Sequence, residues 1–164
     1  MESRTNKIEY LGTTRVRKFA GKNFTRLGIL TFSPTEMLET EIEALRRMNG
    51  KNVPCLIDVG DGYFDMSYAG ELLSRHNVPL DWEYQLSIIV KNLENCRIVH
   101  RDIKPSNICV FEDTINIIDF GCAWLKDRFW QLSPSELVWA KPRKLIYDNE
   151  FALMSTFHSV LAHS

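Results

Sequence analysis

The chain carries two short polar segments whose residue types suit the transfer of a phosphoryl group. The first, HRDIKPSN, spans residues 100–107, and the second, IIDFG, spans residues 117–121. Such a transfer depends on positioning and on neutralising the charge of the moving oxygens, so it needs a base, a cation and hard oxygen ligands for magnesium. The candidates for base, cation and two metal ligands are, in that order, Asp102, Lys104, Asn107 and Asp119.

The order and spacing of these motifs resemble the catalytic and metal-binding loops of eukaryotic-type protein kinases, and Lys104 resembles the serine/threonine class. The resemblance implies ATP and Mg²⁺ as cofactors. It also implies an α+β, bilobal fold, with a reduced antiparallel sheet and a C-helix in an N-lobe at 1–70 and a truncated helical C-lobe at 71–164. We expect a minimal family member without the last helices of a full kinase.

The first third of the chain predicts a small antiparallel sheet followed by a helix. Three segments rich in β-branched and aromatic residues, near 8–11, 14–19 and 24–32, are separated by turn-forming residues. The stretch SPTEMLETEIEALRRMNG then predicts an amphipathic helix, with Ser33 as N-cap and with Asn49 and Gly50 as its stop. Its apolar stripe consists of Leu38, Ile42, Leu45 and Met48.

This helix resembles the kinase C-helix, whose glutamate pairs with a strand lysine that holds the α and β phosphates. Glu41 is the predicted glutamate, and the alternative is a surface residue that balances Arg46 or Arg47. Lys18 is the favoured lysine, because Val16, two residues earlier, matches the small apolar residue that contacts adenine in the family.

Two alternatives to Lys18 are open in the sequence. Lys22 lies nearer to the usual distance from the glutamate, although AGKN has the composition of a turn. If residues 24–32 are instead the lysine-bearing strand, that strand offers only Arg26. The lysine would then come from the neighbouring strand, as in the with-no-lysine kinases.

Residues 53–73 predict two strands joined by a GDG turn, followed by a connector that resembles the kinase hinge. Met66 falls at the gatekeeper position of the family. The backbone around Tyr68 and Ala69, beginning at Ser67, would hydrogen-bond adenine, and an ordinary strand edge is the alternative.

A buried helix over residues 82–93 and a hairpin over residues 108–118 are predicted around the first motif. The helix would deliver His100 to the site, and the hairpin would space the two motifs. By resemblance, Leu45, His100 and Phe120 would align as the regulatory spine of the family.

The sequence departs clearly from the family because it lacks the glycine-rich loop. No GxGxxG precedes Lys18, and only Gly12 stands where a nucleotide-covering loop is expected. Since the amides of such a loop cradle phosphates, we expect weaker ATP binding, with a shortened hairpin at Gly12 covering part of the nucleotide. Arg101 would clamp a phosphate on Ser133 or Ser135, or else pair within its own loop.

Beyond Gly121 the resemblance decays. WAKPRKL resembles the APE region of the family, with Arg143 at the glutamate position, and Asp148 is predicted to cap a last helix. The expected truncation would expose apolar helix faces of the C-lobe, which a second copy or a partner protein would cover.

Composition excludes several partners. The 164 residues carry a formal net charge of -1, which gives no electrostatic case for nucleic acid or an anionic membrane. Neither a membrane-spanning stretch nor a secretory signal is predicted, so we expect an intracellular protein, cytoplasmic with the nucleus not excluded. Most of the four scattered cysteines are predicted to be core thiols. Cys122, directly after IIDFG, would lie near the nucleotide pocket, and a plain packing role is the favoured alternative.

These observations predict an ATP- and Mg²⁺-dependent phosphotransferase, a minimal serine/threonine protein kinase with a protein hydroxyl as acceptor. A small-molecule hydroxyl acceptor also fits, because its pocket would not need the missing helices. The alternative function is a non-catalytic kinase mimic that binds a kinase or its regulator. The lack of a glycine-rich loop favours the mimic, and the intact pair of motifs opposes it.

Overall fold

A four-stranded antiparallel sheet forms the first part of the fold. The computed structural model describes residues 7–27, 30–127 and 148–163. Because successive side chains of a strand point to opposite faces, Val16 and Lys18 are both buried on the inner face of the sheet. In spatial order the strands are β1 (Lys7–Leu11), β2 (Arg15–Phe19), β6 (Tyr63–Ser67) and β5 (Leu56–Gly60).

The outer face of the sheet carries an ion-pair cluster around Asp65. This buried carboxylate accepts hydrogen bonds from Arg17 Nε at 2.7 Å and from Arg15 Nε at 3.0 Å. The hydrogen bonds from Arg17, reinforced by those from Arg15, lower the pKa of Asp65 to about 2. The basic residues of β2 therefore stabilise the sheet itself.

The segment predicted as a third strand of this sheet, residues 24–32, is a separate hairpin. Its strands β3 (Thr25–Leu27) and β4 (Leu30–Phe32) pair with each other, whereas the described neighbours of β2 are β1 and β6. The prediction was wrong because an alternating pattern indicates strand conformation but does not identify the pairing partner. Arg26 consequently lies outside the lysine-bearing sheet.

The helix α1 (Pro34–Met48) begins and ends where the sequence predicts. The Ser33 hydroxyl accepts the backbone N–H of Glu36 at 3.1 Å, which caps the first turn. At the other end, Asn49 adopts a left-handed conformation with φ of 51°. The predicted stripe faces the core, with Leu38, Leu45 and Met48 buried and Ile42 partly buried.

The second part of the fold is mainly helical. In it, β9 (Ile108–Phe111) lies between β10 (Thr114–Ile117) and β7 (Glu71–Leu72), and β11 (Trp124–Leu125) pairs with β8 (Ile98–Val99). The two helices pack together through Trp82 and Phe157, whose stacked rings have centroids 5.5 Å apart. The helical elements are α2 (Trp82–Asn95), a 3-10 turn (Pro105–Asn107) and α3 (Asn149–Ala162).

The last helix starts as predicted, since the Asp148 carboxylate accepts the backbone N–H of Phe151 at 2.8 Å. The region predicted to resemble the APE segment, with Arg143, lies outside the described residues, as do Ser133 and Ser135.

The chain passes between the two parts at Gly70, in close contact with β9. Its φ is 109°, and a Cβ atom there would lie 2.2 Å from the backbone oxygen of Val110. Only glycine meets both conditions without moving the backbone.

One apolar core connects the two parts. Its members include Leu45, Phe64, Leu86, Ile108, Phe120 and Phe157. The predicted α+β, kinase-like fold is confirmed, and the division at residue 70 stays a prediction. In the part of the chain that the structure describes, no helix has the length and apolarity to cross a membrane.

Candidate active site

The loop between β8 and β9 brings Asp102 and Asn107 together. The Asn107 side-chain amide donates to the Asp102 carbonyl at 2.9 Å and to its carboxylate Oδ2 at 3.1 Å. With the nitrogen engaged in this way, the amide oxygen is the side-chain atom left to act as a ligand. The predicted base and one predicted metal ligand are therefore neighbours.

His100 joins this loop to the IIDFG segment. Its Nε2 lies 2.8 Å from the Ile118 carbonyl, and its Nδ1 accepts the Asp102 backbone N–H at 3.1 Å. Because Nδ1 accepts a hydrogen bond, the ring proton belongs on Nε2 and the imidazole is neutral. Burial lowers the pKa of His100, in agreement with the neutral form.

Asn149, which carries no sequence signal of burial, anchors α3 to the same loop. Its Oδ1 accepts the His100 backbone N–H at 3.0 Å, and its Nδ2 donates to the Ile98 carbonyl at 2.8 Å. A polar residue just after a helix cap is normally read as solvated. Only the tertiary structure shows that Asn149 supports the site.

Lys104 stands beside Asp102 at the surface of the loop. Its Nζ lies 3.7 Å from Asp102 Oδ1, and the two side chains are 42% and 32% exposed. An ion pair this exposed is held weakly, so the ammonium group is able to turn towards a phosphate.

Lys18 lies at the centre of a buried charge cluster. Its Nζ is 2.6 Å from Glu41 Oε1 on α1 and 3.5 Å from Asp119 Oδ1. Burial alone would lower the pKa of Lys18, but the charges of Asp119 and Glu41 raise it overall. Lys18 is therefore an ammonium ion inside the fold.

The pKa values of the two acids of this cluster are shifted in opposite directions. Burial raises the pKa of Glu41, although Lys18 opposes the shift. Burial also acts to raise the pKa of Asp119, but there the charge of Lys18 prevails and the pKa is lowered. With 21% of its side chain exposed, Asp119 is the ionised carboxylate that remains accessible.

The alternatives to the roles predicted for Lys18 and Glu41 fall on other residues of the structure. Lys22 is exposed in the turn that follows β2. The residue that balances Arg47 at 2.8 Å and Arg46 at 3.4 Å is Glu43. Glu41 is thus available to Lys18.

The IIDFG segment turns sharply at Asp119, whose φ is 60°. Such a conformation is costly for a residue other than glycine and often occurs at functional sites. Next to it, the Phe120 N–H donates to Glu41 Oε2 at 3.3 Å, and the rings of Phe120 and His100 lie 4.7 Å apart. Leu45 shares the buried core with Phe120, so the residues of the predicted spine are all buried.

Asn107 and Asp119 fit a magnesium site by their chemistry. An amide oxygen and an ionised carboxylate are hard donors, and magnesium usually takes only one or two protein ligands, with water and phosphate completing its shell. Within the described ranges, no three His, Cys, Asp or Glu side chains form a metal cluster. A two-ligand site completed by phosphate oxygens matches these residues.

An apolar cavity of about 210 Å³ lies between the sheet and β9. All four predicted adenine contacts, Val16, Met66, Tyr68 and Ala69, line this cavity. Apolar walls of this kind suit a flat aromatic group. The other lining residues are Ile8, Tyr10, Gly70, Glu71, Leu72, Cys109 and Ile118.

Parts of the predicted hinge backbone are already hydrogen-bonded. The Ser67 N–H donates to the Cys55 carbonyl at 2.9 Å, and the Ala69 carbonyl accepts the Asn116 amide at 2.9 Å. These bonds hold the connector against β5 and β10.

The turn at Gly12 adjoins the hinge. The Thr14 carbonyl, at the end of this turn, accepts the Tyr68 N–H at 3.0 Å, whereas Lys18 pairs with Ile8 near the other end of the ladder. The turn therefore lies at the hinge end of the ladder, and the expectation that this hairpin covers part of the nucleotide stays a prediction. Sequence order did not reveal which end of the sheet the turn would occupy.

Cys122 does not line the cavity, in agreement with the packing role favoured from the sequence. It packs with Phe32 and Met37 in a small apolar cluster separate from the main core. Cys109 lines the cavity instead. Burial raises the pKa of Cys122 to about 12 and that of Cys109 to about 11, so neither thiol is reactive near neutral pH.

Arg101 is buried against the segment after IIDFG. Its Nε donates to the Cys122 carbonyl at 2.7 Å and its Nη2 to the Ala123 carbonyl at 3.3 Å. Arg101 therefore pairs with a second segment rather than within its own loop, and the predicted phosphate clamp on Ser133 or Ser135 lies outside the described residues.

Comparison with known proteins agrees with this geometry. The RIO domain family matches residues 14–127. Mitogen-activated protein kinase HOG1 of Candida glabrata is 30% identical over 138 residues, which cover 70% of this chain and 30% of the relative. Serine/threonine-protein kinase MPS1 of Saccharomyces cerevisiae is 30% identical over 148 residues, which cover 74% of this chain and 19% of the relative.

A shorter match links the chain to stress-activated protein kinase JNK of Suberites domuncula, which is 46% identical over 52 residues, or 31% of this chain and 14% of the relative. The chain thus spans less than a third of the length of these three relatives. The match to the RIO domain covers well over half of the sequence and includes both motifs. The chain therefore belongs to the RIO domain family, within the protein kinases.

Proposed function

We propose that this chain is an ATP- and Mg²⁺-dependent phosphotransferase that acts on a hydroxyl group. The observation that carries the proposal is the buried ion pair of Lys18 and Glu41, with Asp119 3.5 Å from the same ammonium group. A fixed cation next to an ionised, accessible carboxylate is the arrangement that a triphosphate bound through magnesium requires.

Each predicted residue has one role in the proposed reaction. Asp102 accepts the proton of the acceptor hydroxyl, whose oxygen forms a bond to the γ-phosphorus while the bond to the bridging oxygen of ADP breaks. Lys18 holds the α and β phosphates, and Lys104 neutralises the transferred group. Asn107 and Asp119 would hold the magnesium ion, which supplies further positive charge to the phosphate oxygens.

The proposed acceptor is a serine or threonine hydroxyl of a protein. Lys104, two residues after the base, supports this class, and one similar kinase is named as a serine/threonine kinase. A small-molecule hydroxyl is the competing outcome. The proposal also implies an intracellular location, cytoplasmic or nuclear, where ATP is present.

Nucleotide binding is the first test. Calorimetry with Mg²⁺ and ATP should show binding by the wild-type chain, and the absence of binding at millimolar ATP would refute the proposal. Phosphate transfer is then followed with labelled ATP and separate protein and metabolite acceptors. Label on serine or threonine supports the proposed acceptor, and label on metabolites alone overturns it.

Two variants test the assigned roles. Asp102→Asn should lower kcat by about 10²–10⁴-fold while nucleotide binding persists. Asp119→Ala should abolish transfer and weaken Mg²⁺-dependent binding of ATP. Glu39→Gln removes an exposed carboxylate of α1 and serves as the control with unchanged activity. If Asp102→Asn transfers phosphate at the wild-type rate, Asp102 is not the base.

A non-catalytic kinase mimic is the second candidate function. The observation that favours it is the position of the Gly12 turn at the hinge, since among the described residues no glycine-rich loop lies over Lys18. The proposed partner site is the face of α3 that carries Phe151 and Leu161, which are 51% and 44% exposed. A partner or second copy that binds this face, without any nucleotide binding by the chain, would support the mimic.

A further inference from the structure

We propose that Phe32 is a positioning residue, which holds Arg101 so that the catalytic loop and the IIDFG segment keep a fixed relation. The inference rests on the proposed function, because the two segments carry its base and its metal ligands. Phe32 is the last residue of β4 and lies directly before the cap of α1, and it does not line the apolar cavity.

Arg101 is the physical link between the two segments. It precedes the predicted base, and its Nε and Nη2 donate to the carbonyls of Cys122 and Ala123 at 2.7 Å and 3.3 Å. A planar guanidinium with two such bonds fixes both distance and orientation. Any tilt of Arg101 would therefore move the segment after Asp119 relative to Asp102.

Phe32 covers the guanidinium group of Arg101. The Arg101 Cζ lies 5.4 Å from the centroid of the Phe32 ring, within the range of a cation–π contact. Both residues are buried, with 6% and 5% exposure. Because the ring keeps water from the guanidinium, the bonds from Arg101 to the two carbonyls are strengthened.

The start of α1 supports the same segment from another side. Met37 packs in one small cluster with Phe32 and Cys122, separate from the main core. Its methyl carbon also lies 2.9 Å from the point where a Cβ of Gly121 would be. Arg101, Phe32 and Met37 thus enclose residues 121–123 next to the predicted metal ligand.

The expected consequence is a change in the rate of the chemical step. Phe32 does not line the cavity, and its replacement leaves Lys18 and Asp119 present to bind the nucleotide, whereas the transfer step depends on the relation of Asp102 to Asp119. Loosening the Arg101 contact should therefore lower kcat and leave the KM for ATP unchanged.

Two substitutions distinguish the effect of the aromatic ring of Phe32 from that of its apolar volume. Phe32→Leu keeps an apolar side chain but removes the ring, and we expect kcat to fall roughly three- to tenfold with the KM for ATP within twofold. Phe32→Tyr keeps the ring and should restore kcat. Val53→Ala, in the separate main core, controls for general destabilisation and should leave kcat unchanged.

A double-mutant cycle tests whether Phe32 acts through Arg101. In an Arg101→Lys background, Phe32→Leu should lower kcat by much less than in the wild type, because the contact is already lost. An equal fall in both backgrounds, or an effect on KM alone, would overturn the proposal.

Thiol labelling tests the same contact without catalysis. In the nucleotide-free protein, Phe32→Leu should speed the alkylation of Cys122, read by peptide mass spectrometry, while Cys109 keeps its slow rate as an internal control. If Cys122 reacts no faster, Phe32 does not hold this segment. Failure of phosphate transfer in the wild type would refute the proposed function, and the labelling ratio would then decide this inference by itself.

Discussion

The two halves of the candidate site are held by different kinds of contact. Asp102 and Asn107 are joined by hydrogen bonds between residues five positions apart. Lys18, Glu41 and Asp119 come from a strand, a helix and a distant loop, and they meet as a buried charge cluster. The first half is specified by local sequence, whereas the second exists only when the sheet, α1 and the second part of the fold have packed together.

The largest effect on stability is expected for Lys18→Met, which tests this contrast directly. Without the ammonium group, Glu41 and Asp119 lose the cation between them, and we expect the free energy of unfolding to fall by about 3–5 kcal/mol. Denaturant unfolding followed by circular dichroism measures the loss. Lys22→Met, at the exposed rival position, should stay within about 0.5 kcal/mol of the wild type. Similar losses in both variants would contradict a buried ion pair at Lys18.

Asn149→Ala tests whether the loop that carries Asp102 and Asn107 depends on its contact with α3. The variant leaves the buried His100 N–H and the Ile98 carbonyl without their partner, so we expect a loss of about 1–3 kcal/mol. Hydrogen exchange at the His100 amide should speed up. Asn95→Ala, at the exposed end of α2, is the control, and unchanged exchange at His100 in the Asn149 variant would refute the anchor.

The ion-pair cluster around Asp65, on the outer face of the sheet, can be compared with the buried Lys18 cluster through the pH dependence of its contribution to stability. The pKa of Asp65 is lowered from 3.8 to about 2, so its stabilising effect is complete above about pH 4 and is lost as the pH falls towards 2. The difference in unfolding free energy between wild type and Asp65→Asn should therefore shrink over this range. A difference that stays constant down to pH 2 would show that the carboxylate is not held ionised by Arg15 and Arg17.

The smallest effect is expected at Glu43, two residues from Glu41 on the same helix. Its ion pairs with Arg46 and Arg47 lie near the surface, so Glu43→Gln should cost at most about 1 kcal/mol. Glu41→Gln breaks the buried pair with Lys18 and should cost several times more in the same unfolding experiment. Equal costs would remove the distinction between surface and buried pairs in α1.

Features set by neighbouring residues were predictable from the sequence. The cap at Ser33, the left-handed stop at Asn49 and the apolar stripe of α1 follow from local propensities. The spacing of Asp102 and Asn107 likewise fixes their loop. Lys18 and Glu41 are identified by their resemblance to the strand lysine and the C-helix glutamate of protein kinases.

Features set by the packing of distant segments were not predictable. The strand signal of residues 24–32 did not disclose a separate hairpin, and the position of Cys122 after the IIDFG segment did not disclose that it packs with Phe32 and Met37. The burial of Asn149 depends on His100, which lies 49 residues earlier. In each case the deciding partner is remote in sequence.

The close passage at Gly70 has a consequence for sequence variation. A Cβ at this position would meet backbone atoms of Val110 and Phe111 at 2.2–2.7 Å, and backbone cannot swing aside as a flexible side chain does. Gly12 also has a positive φ, but nothing lies within 4 Å of its Cβ position. A saturation mutagenesis library should therefore recover asparagine or aspartate at codon 12 and nothing but glycine at codon 70.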